Sequence, residues 1–158
     1  MSVRLDLLRH GAALPATSDG DEARSLSESG RSAVARIAAE YGQRNWRPER
    51  LFASPLRRAQ ETASIVARTM ALLEIETLDE LAPDGHPSGV VAALVRERLQ
   101  GFALLVGHQP LLGELASHLT GAPVTGLSPG AMVSLEITAP LGRGSGRVIE
   151  LLHPDHLP

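Results

Sequence analysis

The chain has 158 residues, a net charge of −3 and an isoelectric point near 6.1. We expect one domain with a single substantial core and no general attraction to nucleic acid. It contains no cysteine and no lysine, which excludes disulfides, cysteine nucleophiles, the P-loop lysine and Schiff-base chemistry. No apolar run reaches the length of a membrane span, and the first apolar segment carries charges that a signal peptide lacks. We therefore expect a cytoplasmic protein without membrane association.

Predicted strands and helices alternate along most of the chain. Short apolar runs that stop at glycine, proline or serine are typical of buried strands, and apolar residues at helical spacing predict amphipathic helices. In chain order we predict a strand over 3–8, a surface loop over 15–22, a helix through Tyr41 capped by Ser25 or Ser27, a strand over 50–53 and a helix over 56–70. There follow a weaker strand or extended connection over 75–81, a helix over 90–99, a strand over 102–106, a helix from Pro110 through His118, and antiparallel strands over 131–138 and 146–152 around a turn at 140–144.

This order of elements indicates an α/β fold. Strands that alternate with helices form parallel sheets covered on both faces. We predict a three-layer α/β/α sandwich with a mainly parallel central sheet and an antiparallel C-terminal strand pair. A single domain is expected to span residues 1–158.

Two of the predicted strands end at a histidine. His10 follows the first strand and His108 follows the strand over 102–106, and the carboxyl ends of strands line the ligand crevice of open α/β sheets. Arg9 precedes His10, and Arg57 or Arg58 opens the helix after the second strand. Guanidinium forks match phosphoryl oxygens, a neutral histidine can attack phosphorus, and a protonated one can stabilise the charge that develops. The sequence predicts a pocket for phosphate or another oxyanion.

Three segments carry a family resemblance: LRHG at 8–11, SPLRRAQET at 54–62 and VGHQPL at 106–111. In this order they resemble the histidine phosphatase superfamily, also called phosphoglycerate mutase-like, over residues 3 to about 120. The short chain and the segment ELAPDG at 80–85 are most similar to its SixA-type phosphohistidine phosphatase branch. The resemblance implies a hydrolase that forms a covalent phosphohistidine intermediate. A pocket of cationic side chains needs no bridging ion, so we expect no metal and no cofactor.

The resemblance also implies a role for each matching residue. His10 matches the nucleophile, Arg9 and His108 match phosphoryl-binding residues, and counting four residues on from Ser54 selects Arg58 rather than Arg57. The expected catalytic residues are His10, Arg9, Arg58 and His108, and the expected substrate-binding residues are Arg9, Gly11, Arg24, Arg58 and His108.

Two positions depart from the family pattern. Ser25 stands where the stretch after Arg24 has a proline in the family, and Ala12 stands where the branch often has a polar side chain. The first departure bears on whether Arg24 borders the pocket, and the second bears on the fine positioning of the substrate rather than on phosphate binding.

No residue is identified by the sequence as the general acid. Glu80, Asp84 and His86 are candidates because they occupy the corresponding stretch of the chain. An imidazole is a competent leaving group once it is protonated from solvent, so a site without an acid suits a nitrogen–phosphorus bond better than a phosphate monoester. The other histidines, His118, His153 and His156, are expected to be structural or exposed to solvent rather than metal ligands.

Three functions are compatible with these features. The leading one is hydrolysis of phosphohistidine on a small histidine-containing phosphotransfer protein. The second is a small-molecule phosphomonoesterase or mutase of the same superfamily, although the short chain leaves no long insertion to hold and reorient a sugar phosphate. The third is a non-catalytic module that binds phosphoproteins. Short loops and few aromatic residues predict a shallow, open crevice suited to a side chain presented by a protein surface.

Overall fold

A computed structural model describes residues 2–71, 74–124 and 126–158, and within these ranges the strands form one six-stranded sheet with helices on both faces. The strands are β1 (Ser2–Arg9), β2 (Arg50–Ala53), β3 (Ile75–Thr77), β4 (Phe102–Gly107), β5 (Met132–Thr138) and β6 (Gly146–Leu152). The helices are α1 (Glu28–Gln43), α2 (Arg57–Thr69), α3 (Pro87–Arg96) and α4 (Leu111–Thr120). Short 3-10 turns lie at Asp21–Ala23, Asp79–Leu81 and Pro154–His156.

The sheet has the strand order β3-β2-β4-β1-β5-β6. The first four of these strands are mutually parallel, β5 pairs antiparallel with β1, and β6 pairs antiparallel with β5. This topology confirms the predicted α/β class with a mainly parallel sheet and an antiparallel C-terminal pair. It also places β1 in the middle of the sheet, where Leu8 lies between Val106 of β4 and Met132 of β5.

Each face of the sheet has its own apolar core. Successive side chains of a strand point to opposite faces, so Leu7 packs on the side of α3 and α4 while Leu8 packs on the side of α1 and α2. Leu94 and Leu112 are fully buried on the first side, and Ile37 is fully buried on the second. Removal of this apolar surface from water is the main stabilising term for the three layers.

The structure decides between the two predicted caps of α1. The Oγ atom of Ser27 accepts a hydrogen bond from the backbone N–H of Gly30 at 3.0 Å, and the helix begins at the next residue, Glu28. Ser27, and not Ser25, is therefore the N-cap. A cap of this kind satisfies one of the N–H groups that have no partner within the helix.

Among the helices, the largest shift from the predicted boundaries is in α3; the predicted extended segment over 75–81 is a strand only over Ile75–Thr77. This helix runs from Pro87 to Arg96 rather than over 90–99. Proline is well tolerated in the first helical turn, because the N–H that it lacks has no partner there. The helix ends early because Arg98 adopts a left-handed backbone with φ of 55°. Among the helices that the structure describes, none is long and apolar enough to cross a membrane.

Candidate active site

Three neighbouring parallel strands deliver the candidate residues to one edge of the sheet. His10 follows β1, Ser54 follows β2 and His108 follows β4, and these strands are adjacent in the sheet. The rings of His10 and His108 lie 5.0 Å apart between centroids. They line an open cavity of about 450 Å³ together with Arg9, Ala12, Ala13, Arg24, Arg58, Pro83, Gln109 and Pro129.

The protonation of His10 follows from its contacts. Its Nδ1 atom lies 2.7 Å from the carbonyl oxygen of Gly11, and because a carbonyl can only accept, Nδ1 carries the proton. Burial lowers the pKa of His10 to about 4; the bond to Gly11 opposes this shift, and the charges of Arg58, Arg9 and Arg24 add to it. The ring is therefore neutral at pH 7, and its Nε2 atom carries the lone pair, which accepts a hydrogen bond from Nε of Arg58.

Two helices brace the turn that holds His10. A Cβ atom on Gly11 would lie 2.9 Å from the carbonyl oxygen of Gly30, and one on Gly30 would lie 2.1 Å from the carbonyl oxygen of Ala12, so α1 approaches the turn backbone to backbone. The N–H of Gly11 donates to Oγ1 of Thr62 at 3.1 Å, and Thr62 donates to the carbonyl of Arg58 at 2.8 Å. The N–H of Gly11, a residue expected to bind substrate, is thus used within the protein.

The two arginines at the start of α2 lie in different environments. Nε of Arg58 points at Nε2 of His10 at 3.4 Å, and the Arg58 side chain is 7% exposed. The Arg57 side chain is 57% exposed and pairs with Glu61 at 3.2 Å. The structure therefore places Arg58 in the pocket and Arg57 on the surface, in the arrangement that counting from Ser54 predicts.

Arg9 and His108 each leave a buried polar atom without a partner. Arg9 donates from Nη1 to the carbonyl of Leu127 at 2.9 Å, and Nε2 of His108 lies 2.7 Å from Oγ of Ser54. Within the described ranges, the buried side-chain nitrogen and oxygen atoms without a hydrogen-bond partner are Nε of Arg9 and Nδ1 of His108. Because an unsatisfied buried polar group is costly, both atoms suit a pocket that takes up an oxyanion.

The electrostatics of these two residues also favour a bound anion. Burial, and then the charge of Arg58, lowers the pKa of Arg9. Burial lowers the pKa of His108 to about 3, with His10 and Arg58 contributing. His108 is therefore neutral at pH 7 in these surroundings, and the protonated His108 expected from the sequence requires the charge of a bound dianion to raise its pKa.

Asp21 is an acidic residue beside the pocket that the sequence did not predict as part of the site. The Arg58 guanidinium donates from Nη1 to the carbonyl of Asp21 at 2.9 Å and from Nη2 to its Oδ2 atom at 3.2 Å. Arg24 donates to Oδ1 of Asp21 at 3.1 Å and to the carbonyl of Leu14 at 2.8 Å. The hydrogen bond from Arg24, and then the charge of Arg58, lowers the pKa of Asp21 against the opposing effect of desolvation. In the sequence, Asp21 belongs to an acidic loop and carries no motif of its own.

The candidate acids do not line this cavity. Glu80 pairs with Arg96 at 3.4 Å, and Asp84 and His86 are exposed. His118 and His153 are half-buried outside the cavity, and His156 is exposed. In the part of the chain that is described, no three histidine, aspartate or glutamate side chains are placed to hold a metal ion.

Fold and site together define an enzyme of the phosphoryl-transfer class. A family model for the histidine phosphatase superfamily (branch 1) matches residues 5–82. An uncharacterized protein of Picosynechococcus is 34% identical over 119 residues, which cover 72% of this chain and 71% of that protein. The chain belongs to the histidine phosphatase superfamily, whose phosphatases are hydrolases with a histidine nucleophile.

Solved structures place the chain within the superfamily. The protein histidine phosphatase SixA complexed with tungstate has a TM-score of 0.86 and 26% identity, with 97% of this chain and 98% of that chain covered. A mycobacterial glucosyl-3-phosphoglycerate phosphatase has a TM-score of 0.72 and 20% identity, with 94% and 98% covered. The similarity to the mycobacterial phosphatase shows a shared fold and nothing more. The chain is a member of the SixA-type branch.

Proposed function

We propose that this protein hydrolyses phosphohistidine on a histidine-containing phosphotransfer protein. The observation that carries the proposal is the neutral His10, whose Nδ1 proton is held by Gly11 and whose Nε2 lone pair opens into a pocket lined by arginines. Such a substrate implies a cytoplasmic role in signal transduction. The likeness to SixA, which is described as a protein histidine phosphatase, supports this substrate class.

The reaction proceeds in two displacements. Nε2 of His10 attacks phosphorus, the nitrogen–phosphorus bond of the substrate breaks, and the substrate imidazole leaves with a proton from solvent. Arg9 and Arg58 hold the phosphoryl oxygens with their guanidinium groups. His108 donates to a third oxygen once the dianion has raised its pKa, and Arg24 contacts the substrate at the rim. Water then hydrolyses the phosphohistidine at His10.

The surroundings of the pocket favour a nitrogen–phosphorus substrate. An alkoxide leaving group needs a proton donor, whereas an imidazole leaves readily once protonated. Neither Glu80 nor Asp84 lines the cavity, so neither carboxyl group is placed for that donation. The cavity is also open, which suits a side chain presented by the surface of another protein.

The decisive experiment compares a phosphorylated phosphotransfer domain with a panel of small phosphomonoesters, each with and without EDTA. We expect the wild type to release phosphate from the phosphodomain, and a denaturing quench to trap an acid-labile, base-stable phosphoenzyme. The His10→Ala variant should fold, as judged by circular dichroism. It should neither release phosphate nor form a phosphoenzyme. EDTA should have no effect, because cationic side chains neutralise the phosphoryl group without a bridging ion.

Each other outcome identifies a different function. Efficient hydrolysis of a monoester with the phosphodomain left intact would establish the small-molecule phosphatase. Binding of the phosphodomain without release of phosphate would establish the non-catalytic module. Turnover by the His10→Ala variant would remove His10 from the role of nucleophile.

A further inference from the structure

Asp21 lies at the boundary between two clefts. Its side chain forms salt bridges with two arginines of the phosphoryl pocket, Arg24 and Arg58. Within the described ranges, no other acidic side chain forms a salt bridge with an arginine of that pocket. Asp21 also lines a neighbouring cleft of about 380 Å³, which shares Pro83 with the pocket. Its side chain is 55% exposed, so solvent reaches the carboxylate.

One guanidinium connects this carboxylate to the nucleophile. Nε of Arg58 faces Nε2 of His10 at 3.4 Å, while Nη2 of Arg58 faces Oδ2 of Asp21 at 3.2 Å. Nε2 of His10 and Oδ2 of Asp21 therefore both contact the Arg58 guanidinium. This guanidinium also binds the phosphoryl oxygens in the proposed reaction. Asp21 lines the neighbouring cleft rather than the pocket itself, and the two clefts meet at Pro83.

We propose that Asp21 is the general base for the second displacement, in which water hydrolyses the phosphohistidine at His10. The inference rests on the proposed function. The water oxygen forms a bond to phosphorus as its proton moves to Oδ2 of Asp21. The bond between phosphorus and Nε2 breaks, and its electron pair returns to the His10 ring. The exposed carboxyl group then releases the proton to solvent, which restores the enzyme.

The same contacts make Asp21 a poor general acid. The hydrogen bonds from Arg24 and Arg58 stabilise the ionised carboxylate and lower its pKa, so it holds no proton for a leaving group at pH 7. A site with a base and no acid hydrolyses compounds whose leaving group departs without help. The inference thus narrows the substrate class to phosphoramidates, phosphohistidine included, rather than alkyl phosphates.

The test separates formation of the phosphoenzyme from its breakdown. Rapid-quench measurements with phosphoramidate as the donor give both rates for the wild type and for Asp21→Asn. Asparagine preserves the size and one acceptor oxygen for the arginines. We expect the variant to form the phosphoenzyme nearly as fast as the wild type but to break it down about 10²-fold more slowly, the lower end of the usual contribution of a general base. The phosphoenzyme should accumulate at steady state.

The matched control is Asp19→Asn, because Asp19 lines the same cleft and, among the residues that the structure describes, no arginine forms a salt bridge with its carboxylate. This variant should keep both rates. Inhibition by inorganic phosphate is measured in parallel, since a residue that only anchors Arg58 would alter phosphate binding as well. If Asp21→Asn slows formation and breakdown equally and weakens phosphate inhibition, Asp21 is an anchor and the inference is wrong.

The wild-type protein separates failure of this inference from failure of the proposed function. A wild type that forms no phosphoenzyme at His10 would overturn the proposed function, and the role of Asp21 with it. A wild type that does form it, combined with an unchanged breakdown rate in Asp21→Asn, would overturn the role of Asp21 alone.

Discussion

The carbonyl group of Gly11 decides which nitrogen of His10 reacts. Either ring nitrogen of a neutral histidine can hold the proton, and the hydrogen bond to a carbonyl fixes it on Nδ1. The lone pair is then on Nε2, the atom that faces Arg58. The nucleophile is therefore prepared by the backbone, and no carboxylate is needed to orient it.

The arginine pair offers a sharp test at this scale. Arg58→Lys should lower kcat/KM, because an ammonium group cannot reproduce the guanidinium fork. The expected loss of transition-state stabilisation is about 3 kcal/mol. Arg57→Lys should be nearly silent, since the Arg57 side chain is exposed and its partner is Glu61 rather than a residue of the pocket. Steady-state kinetics on the phosphodomain measure both. The opposite ranking would mean that the surface arginine is the one that binds phosphate.

Some residues of the site could be predicted from the sequence, and Asp21 beside it could not. His10, Arg58 and His108 could be found because each lies at the end of a strand or the start of a helix, where local patterns predict its position. Asp21 could not, because its contact with Arg58 spans 37 positions of the chain. That contact depends on how the loop folds over α2, which no local pattern in an acidic loop predicts.

At the scale of elements, the approach of α1 to the turn after β1 depends on the lack of a side chain at Gly30. Gly30→Ala should destabilise the protein by about 2 kcal/mol, within the usual range for overpacking, because its Cβ atom would lie 2.1 Å from a backbone oxygen. The same change should lower activity, since that oxygen belongs to the turn that follows His10. Urea unfolding and the hydrolysis rate measure the two effects.

Gly42 in the same helix provides the control. A Cβ atom added there meets nothing within 4 Å, so Gly42→Ala should stabilise the protein by up to about 1 kcal/mol through helix propensity. Activity should not change. Equal effects of the two substitutions would show that the close approach of α1 does not matter for stability.

Elements were predictable to the extent that their signals are local. Helices α1 and α2 show apolar periodicity, and β1, β2 and β4 are short apolar runs. Each of these patterns is formed by residues that are close together in the sequence. The start of α3 was less visible because Pro87 is a helix breaker in the interior but a good first residue. The strand order of the sheet is not local at all, since Arg4 of β1 pairs with Phe102 of β4 and Ser2 of β1 pairs with Thr138 of β5.

For the whole molecule, the buried histidines predict how stability depends on pH. The pKa values of His10 and His108 are lowered to about 4 and about 3 in the folded protein, whereas an unfolded chain has the usual value near 6.5. Between about pH 6.5 and 4 the unfolded chain therefore binds more protons, so the free energy of unfolding falls as pH falls. The loss is at most about 1.4 kcal/mol per pH unit for each histidine.

Urea unfolding between about pH 6.5 and 4 measures how the free energy of unfolding depends on pH. His108→Asn should reduce the slope, because one of the two buried rings is removed, and His156→Gln, a change at an exposed residue, should leave the slope as it is. Added phosphate should stabilise the folded protein. A slope that is the same in the wild type and in His108→Asn would contradict the neutral state of His108.

The central place of β1 has a consequence for synthesis on the ribosome. This strand is translated before both of its neighbours, β4 and β5. Until Met132–Thr138 has left the exit tunnel, one edge of β1 has no hydrogen-bonding partner, because β5 pairs along that edge. The strand that leads to the proposed nucleophile is therefore paired along both edges only after β5 has been synthesised.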